Sequence, residues 1–367
     1  MKRIDPRLIL PGLLLCIAIA AYSKILGSAF PAVGAAIFAL SSGLIFRAFF
    51  GSKILETKSA SIAFGATFAS KPILQIAIVF LGAKTSLGRV AEVGAESLIV
   101  MLVSLCVAFL TAWFVGRALR VEAKLATLIG TGTAICGGSA IAAAAPVIGA
   151  DESDTAYAFS VIFAFNLAAV FLFPALGSLM GLSDSGFGLW AGTAINDTSS
   201  VVAAGYAWSA TAGDYAVVVK LARTAMIVPV TLVLGALAGR GYFDRHMTAN
   251  RSSGNTESLR KTIDAPSSSQ AAAFAEGKRK AAPLPWFIFA FLGASLARSI
   301  GLIPALLGSK LAEIGVFLIA VALAGIGLST DFRRIARTGW KPLLLGFAVW
   351  VAVAFSSLGI QALMGRG

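Results

Sequence analysis

The sequence predicts an all-α polytopic membrane protein of about eleven transmembrane helices, two of them discontinuous at the midplane. Hydrophobic residues make up 58% of the 367 and charged residues only 13%, whereas a soluble domain carries about 25% charge. Apolar runs of roughly 20 residues, the length that crosses a bilayer core, recur along the chain. Two of these runs are interrupted near their centres by Gly, Thr, Asn, Asp and Ser, which are poor helix formers and mark helices broken at mid-membrane.

Taken in order, the runs predict spans over about 8–26, 31–50, 72–88, 97–117, 125–148, 155–180, 187–208, 214–239, 284–302, 310–330 and 341–363. The first has a basic start like a signal peptide but lacks a convincing cleavage site, so it reads as a retained helix. The stretch SASIAFGATFASK, from Ser59 to Lys71, is short and rich in small residues and reads as an interfacial lead into the third span. Residues 241–283 are Ser-, Ala- and charge-rich without an apolar period. They read as a flexible cytoplasmic linker between a front membrane part, 1–240, and a back part, 284–367.

Lys and Arg number 30 against 17 Asp and Glu, a formal charge of +13. In a membrane protein this excess belongs to cytoplasmic loops, and no nucleic-acid partner is expected. Lys2, Arg3 and Arg7 at the start, Lys53 and Lys58, Arg117, Arg120 and Lys124, and the basic residues from Arg240 onward all fall on one side if the N-terminus is cytoplasmic. Two re-entrant hairpins in place of two spans would preserve the same parity. Cys16, Cys106 and Cys136 lie in apolar runs without pairing spacing, so neither a disulfide framework, a metal site nor a cofactor is indicated. No nucleophile elbow or phosphate-binding loop points to an enzyme.

Two pairs of segments repeat. GTAICGGSAIAA, from Gly132, is echoed by GTAINDTSSVVA, from Gly192. IAIVFLGAKTSL, from Ile76, is echoed by IAVALAGIGLST, from Ile319. The second pair runs in opposite directions, as an inverted repeat requires, whereas the first pair runs in the same direction if both members are full spans.

The midplane lies about ten residues into a span. Cys136, Gly137, Gly138 and Ser139 in one segment, Asn166, and Asn196 with Asp197 in another converge at that depth, and Gly132, Thr133, Thr198 and Ser199 of the same segments complete the candidate substrate-binding set. Broken helices there expose backbone N–H groups and positive dipole ends that hold anions, although the glycines also suit simple close packing of helices. Asp197, a carboxylate deep in an apolar run, is a functional candidate, with Lys220 and Arg223 as partners for it or for substrate. Lys84, beside Thr85 and Ser86 near the outer end of its span, is a further substrate candidate, whereas Cys136 reads as an inert small residue before a reactive thiol, because an apolar site disfavours the thiolate.

GTAICGGSAIAA, FGLWAGTAINDTSSVVAAG and VKLARTAMIVPV, with LGAKTSL before them, resemble the YeiH-like family of bacterial inner-membrane proteins to which sulfate export is ascribed. The resemblance covers nearly all of the membrane part. It implies a multi-pass protein of the bacterial inner membrane that exports sulfate, sulfite or a sulfonate. The family is distantly similar to the cation/proton antiporter and anion transporter superfamily, which uses crossed discontinuous helices and, by analogy, implies a homodimer. On the antiporter side of that superfamily, Asn196-Asp197 matches an Asn-Asp or Asp-Asp pair of a midplane helix, although family members often carry His where this chain has Asn196. The leading expectation is a secondary transporter for a small inorganic or organic anion, coupled to H⁺ or Na⁺. The alternative is a cation/proton antiporter in which Asp197 exchanges a proton for Na⁺.

Overall fold

A computed structural model describes residues 6–30, 34–54, 59–243, 286–330 and 339–365. Most of the expected linker, 241–283, lies outside these residues. Of its first three, Phe243 is buried among apolar side chains and the Tyr242 hydroxyl accepts a hydrogen bond from Trp113 Nε1 at 3.1 Å. Every regular element among the described residues is helical.

The chain opens with α1 (Pro6–Ala29) and α2 (Gly34–Ile54). Next, α3 (Ser59–Phe68) passes through a π-helical turn (Ala69–Ile73) into α4 (Leu74–Gly82). Pro72 stands in this turn. A proline donates no backbone hydrogen bond and its ring crowds the carbonyl four residues back, which favours a local widening of the helix. Ser61–Gly82 is therefore one apolar stretch long enough to cross a membrane, and the expected interfacial lead is its first half. Its small residues serve close packing: a Cβ on Gly65 would stand 2.5 Å from Gly12 Cα, and one on Gly325 would stand 2.7 Å from the Ala66 carbonyl oxygen.

Then follow α5 (Leu87–Ala118), α6 (Ala123–Ala134), α7 (Gly138–Val147), α8 (Glu152–Leu179), α9 (Asp184–Ala194) and α10 (Thr198–Trp208). They are succeeded by α11 (Ala210–Thr224), α12 (Ile227–Gly239), α13 (Trp286–Ser299), α14 (Ala305–Ser329) and α15 (Trp340–Leu363). Seven described stretches are long and apolar enough to cross a membrane, and α2 and α13 contribute shorter apolar helices.

The two discontinuous segments do not cross. Lys124 Nζ, at the start of α6, donates to the Gly149 carbonyl just past α7 at 2.7 Å. Trp208, at the end of α10, donates through Nε1 to Asp184 Oδ1 at the start of α9 at 2.9 Å and stacks on Phe187 with ring centroids 4.3 Å apart. Each pair of half-helices thus folds back as a hairpin, and two of the eleven expected crossings return to the side they left. The reason is the length of the arms: 10 to 12 residues rise only about 15–18 Å, half a bilayer.

The 28-residue α8, about 42 Å long, separates the hairpins, so they enter from opposite ends of the bundle. The Gly-Thr-Ala-Ile repeats consequently run in opposite directions, unlike the arrangement expected of full spans. The second repeat pair is also antiparallel: Gly308, Gly315 and Gly325 of the α14 helix approach the backbone oxygens of Ala83, Ala77 and Ala66 in that order.

Two apolar cores result. One joins α1 to α4 with α13 and α14 around Leu40, Ile78, Phe291 and Leu323, and the other surrounds the hairpins with Leu128, Ile141, Ile162, Phe173, Trp190 and Val349. Helices α5, α10 and α11 present one face to each core: Val201 and Ala216 pack on the hairpin side, Val202 and Val219 on the other.

Candidate functional site

The tips of the two hairpins meet at mid-bundle. Gly137, the residue before α7, has φ +67°, a left-handed conformation that a side chain disfavours. A Cβ placed there would lie 3.4 Å from the Cβ of Asp197 in the opposite tip. The sequence expectation that Gly137, Gly138 and the Asn196–Thr198 region form helix interruptions that approach one another matches this geometry.

At each tip one arm ends and another begins, so carbonyls without helical partners face N–H groups without helical partners. Lys220 and Arg223 of α11, one helical turn apart and both fully buried, take up the carbonyls. Lys220 Nζ donates at 2.8 Å to Ile135 O and at 2.8 Å to Ile195 O, so a single ammonium bridges the tips. Arg223 donates through Nε to Ala134 O at 2.6 Å, through Nη2 to Thr133 O at 2.9 Å, and through Nη1 to Thr193 O. The two cations thereby offset the negative dipole ends of α6 and α9. Neither forms an ion pair with Asp197, the partner the sequence suggested, although the charges of Lys220 and Asp197 act on one another.

The departing arms differ. Asp197 caps α10, its carboxylate accepting from the Ser199 N–H at 3.1 Å and from the Ser199 hydroxyl, while its own N–H donates to Asn166 Oδ1 of α8 at 3.1 Å. Helix α7 begins at Gly137 without a side-chain cap. Gly138 is half-buried and Ser139 exposed, and Asp197, Thr198 and Ser199 are half-buried, so the helix starts carry the accessible part of the site.

The other expected residues divide. Gly132 packs arm against arm, since a Cβ there would meet Ile141 and Ile162 at 2.9 Å. Cys136 is buried. Asn196 is fully buried, and among the described residues neither its Oδ1 nor its Nδ2 has a hydrogen-bond partner; the buried Thr133 Oγ1 also lacks one. Lys84 is not brought to the tips. Its Nζ pairs with Asp214 Oδ2 at 2.9 Å beyond the end of α4, and Tyr206 donates to the other carboxylate oxygen. Asp214 precedes Lys220 by six residues, about 9 Å along α11.

One further lysine stands in an apolar stretch, outside the residues singled out from the sequence. Lys71, in the π turn, is exposed at the centre of the span Ser61–Gly82, and its charge interacts with that of Asp197. A Lys-Pro pair inside a run of small and apolar residues was the available signal, concealed by starting the third span at residue 72.

The sequence pattern of the family described as conserved hypothetical protein 698 matches residues 11–346. The chain belongs to this family. Relatives named UPF0324 membrane proteins match it end to end. The one from Clostridium tetani is 37% identical over 97% of both chains, and one from Streptococcus pyogenes serotype M18 is 40% identical over 97% of both. One from Streptococcus pneumoniae serotype 4 is 39% identical over 96% of this chain and 97% of its own. No solved structure matches. As a member of the UPF0324 family with repeated apolar helices, the chain is a multi-pass membrane protein.

Proposed function

We propose that this UPF0324 protein is a secondary transporter that exports a small sulfur-containing anion, sulfate, sulfite or a sulfonate, across the bacterial inner membrane by alternating access. Its N-terminus is cytoplasmic on this reading, and the basic loops face the same side. The observation that carries it is the uncapped, partly accessible start of α7 beside Asp197, in a region where Lys220 and Arg223 outnumber that carboxylate. A positive dipole end with surplus positive charge favours a bound anion. The opposite entry of the two hairpins also supports the reading, because oppositely oriented halves meeting at the midplane give a site that either side can reach.

A second reading rests on Asp197 and Asn196. A half-buried carboxylate next to an amide with no partner among the described residues suits a cation/proton antiporter exchanging H⁺ for Na⁺. Reconstituted protein in liposomes separates the two. On the anion reading, preloaded sulfate, sulfite or taurine accelerates exchange of the labelled anion, and a Na⁺ gradient alone moves no protons. Proton movement driven by Na⁺, without exchange of any of the three anions, would transfer the assignment to the antiporter.

A further inference from the structure

We infer that Asn166 is a positioning residue of the transport site: it holds open the break in the second hairpin and thereby sets Asp197 and the start of α10. The inference rests on the anion-transport reading above and deepens it. In an unbroken helix the Asp197 N–H would donate to the Thr193 carbonyl, four residues back. Here side chains of two other helices divide that rung between them. Asn166 Oδ1 of α8 accepts the N–H at 3.1 Å, and Arg223 of α11 donates through Nη1 to the carbonyl. Thr193 is held from a third direction, its hydroxyl oxygen lying 2.5 Å from that of Ser357 in α15. Asn166, Thr193, Arg223 and Ser357 are all buried, so protein rather than water supplies the partners of the divided rung.

Whether the rung is open decides what α10 presents. At φ −96° and ψ 144° Asp197 is extended, the geometry of a residue that caps a helix, and its carboxylate accepts from the Ser199 N–H. Closing the rung would wind Asp197 into the helix and withdraw its carboxylate from that N–H. The same face of α8 also serves the first tip, since Phe159, Ile162 and Asn166 follow one another at i, i+3 and i+7. A Cβ on Gly138 would stand 2.9 Å from Phe159 Cε1, and one on Gly137 would stand 3.3 Å from Ile162 Cγ2. Helix α8 is thus the common reference for both accessible helix starts, and a shift of Asp197 against it changes what faces an anion at the start of α7. An asparagine inside a membrane bundle can also act as glue between helices. Its partner here is the backbone N–H released by the break, which glue alone does not require.

The test uses the full chain in proteoliposomes with labelled sulfate, sulfite and taurine, reading half-saturation concentration and maximal rate separately, with melting temperature in detergent alongside. Asn166→Leu keeps the size and loses the acceptor, so the Asp197 N–H is free to return to Thr193. It is expected to raise the half-saturation concentration by at least about tenfold. Asn166→Ser, whose hydroxyl is too short to reach the N–H, should raise it in the same direction and remains readable if Asn166→Leu folds poorly. Thr198→Pro supplies the rescue: proline suits the first position of a helix and disfavours a helical residue before it, so it holds Asp197 extended without Asn166. With Thr198→Pro present, adding Asn166→Leu is expected to change the half-saturation by less than about threefold relative to Thr198→Pro alone. A merely structural asparagine would lower the melting temperature in both backgrounds and give no such difference in affinity. If Asn166→Leu and Asn166→Ser keep the wild-type half-saturation for every anion that wild type moves, or if the leucine effect is equally large with Thr198→Pro present, the inference is overturned and the transporter reading stands. If wild type moves none of the three anions, the transporter reading falls and the inference falls with it.

Discussion

At the scale of single residues, the two buried cations of α11 stand out because each is held by backbone rather than by an acid. Truncating Arg223 to Gln removes the donors to Thr133, Ala134 and Thr193. An unsatisfied buried polar group costs about 1–3 kcal/mol, so the expected result is a lower melting temperature in detergent and weak expression, with Arg223→Lys intermediate. Normal thermal stability of Arg223→Gln together with lost anion affinity would instead make the guanidinium a ligand. Gly137 offers a second test at this scale. With φ at +67° and Asp197 Cβ 3.4 Å from where a methyl would stand, Gly137→Ala is expected to destabilise by about 1–3 kcal/mol, read as thermal unfolding. Gly94, whose added Cβ would meet nothing within 4 Å, is the control and should tolerate alanine.

The hairpins dominate at the scale of elements, and their topology can be checked by labelling without knowledge of substrate. Arg117, near the end of α5, and Asp151, just past the first hairpin, are both exposed; so are Ser185 and Thr211, which flank the second. Single cysteines at Arg117 and Asp151 should react with an impermeant maleimide from one side of the membrane, and those at Ser185 and Thr211 from the other. If α6 and α7 crossed as one discontinuous span, Arg117 and Asp151 would label from opposite sides. The same fold-back explains the capping pattern. A helix that stops at mid-membrane leaves carbonyls that water cannot reach, and α11 lies where its cations satisfy them.

Across the whole molecule, the two helix groups are tied together at one end by polar contacts as well as by α5, α10 and α11. Lys84, beyond α4, pairs with Asp214 of α11, and Tyr215 of α11 donates to Glu96 of α5 at 2.8 Å. Because the Lys84 and Asp214 side chains are 48% and 26% exposed, their coupling should amount to no more than about 0.2–1 kcal/mol. A double-mutant cycle with Lys84→Asp and Asp214→Lys should show small losses for the singles and partial recovery in the pair. A coupling of several kcal/mol would mean that the pair is far better shielded than its exposure indicates.

The amino-acid sequence by itself determined the fold class and the positions of the two helix breaks. Apolar runs of bilayer length and scarce charge allow only a helical bundle, and Gly137-Gly138 and Asn196-Asp197 mark helix breaks because those residues favour backbone geometries other than a helix interior. The depth of Asn166 could be counted along its own span, whereas the reading of Lys220 and Arg223 as lying near the outer end of theirs did not foresee their place at the hairpin tips. Three things were decided only by the tertiary structure. Whether a broken segment crosses or returns depends on which ends touch, here Lys124 with Gly149 and Trp208 with Asp184, and those contacts join residues 24 or 25 positions apart in the chain. Which partner a buried cation takes follows from the same fold-back, which delivers carbonyls rather than Asp197 to Lys220 and Arg223. That α3 and α4 act as one stretch follows from helix packing: Gly12 lets α1, and Gly325 lets α14, approach its first half, which local composition alone set apart as an interfacial lead. Local composition reports where a helix weakens; only contacts between distant segments report what meets it there.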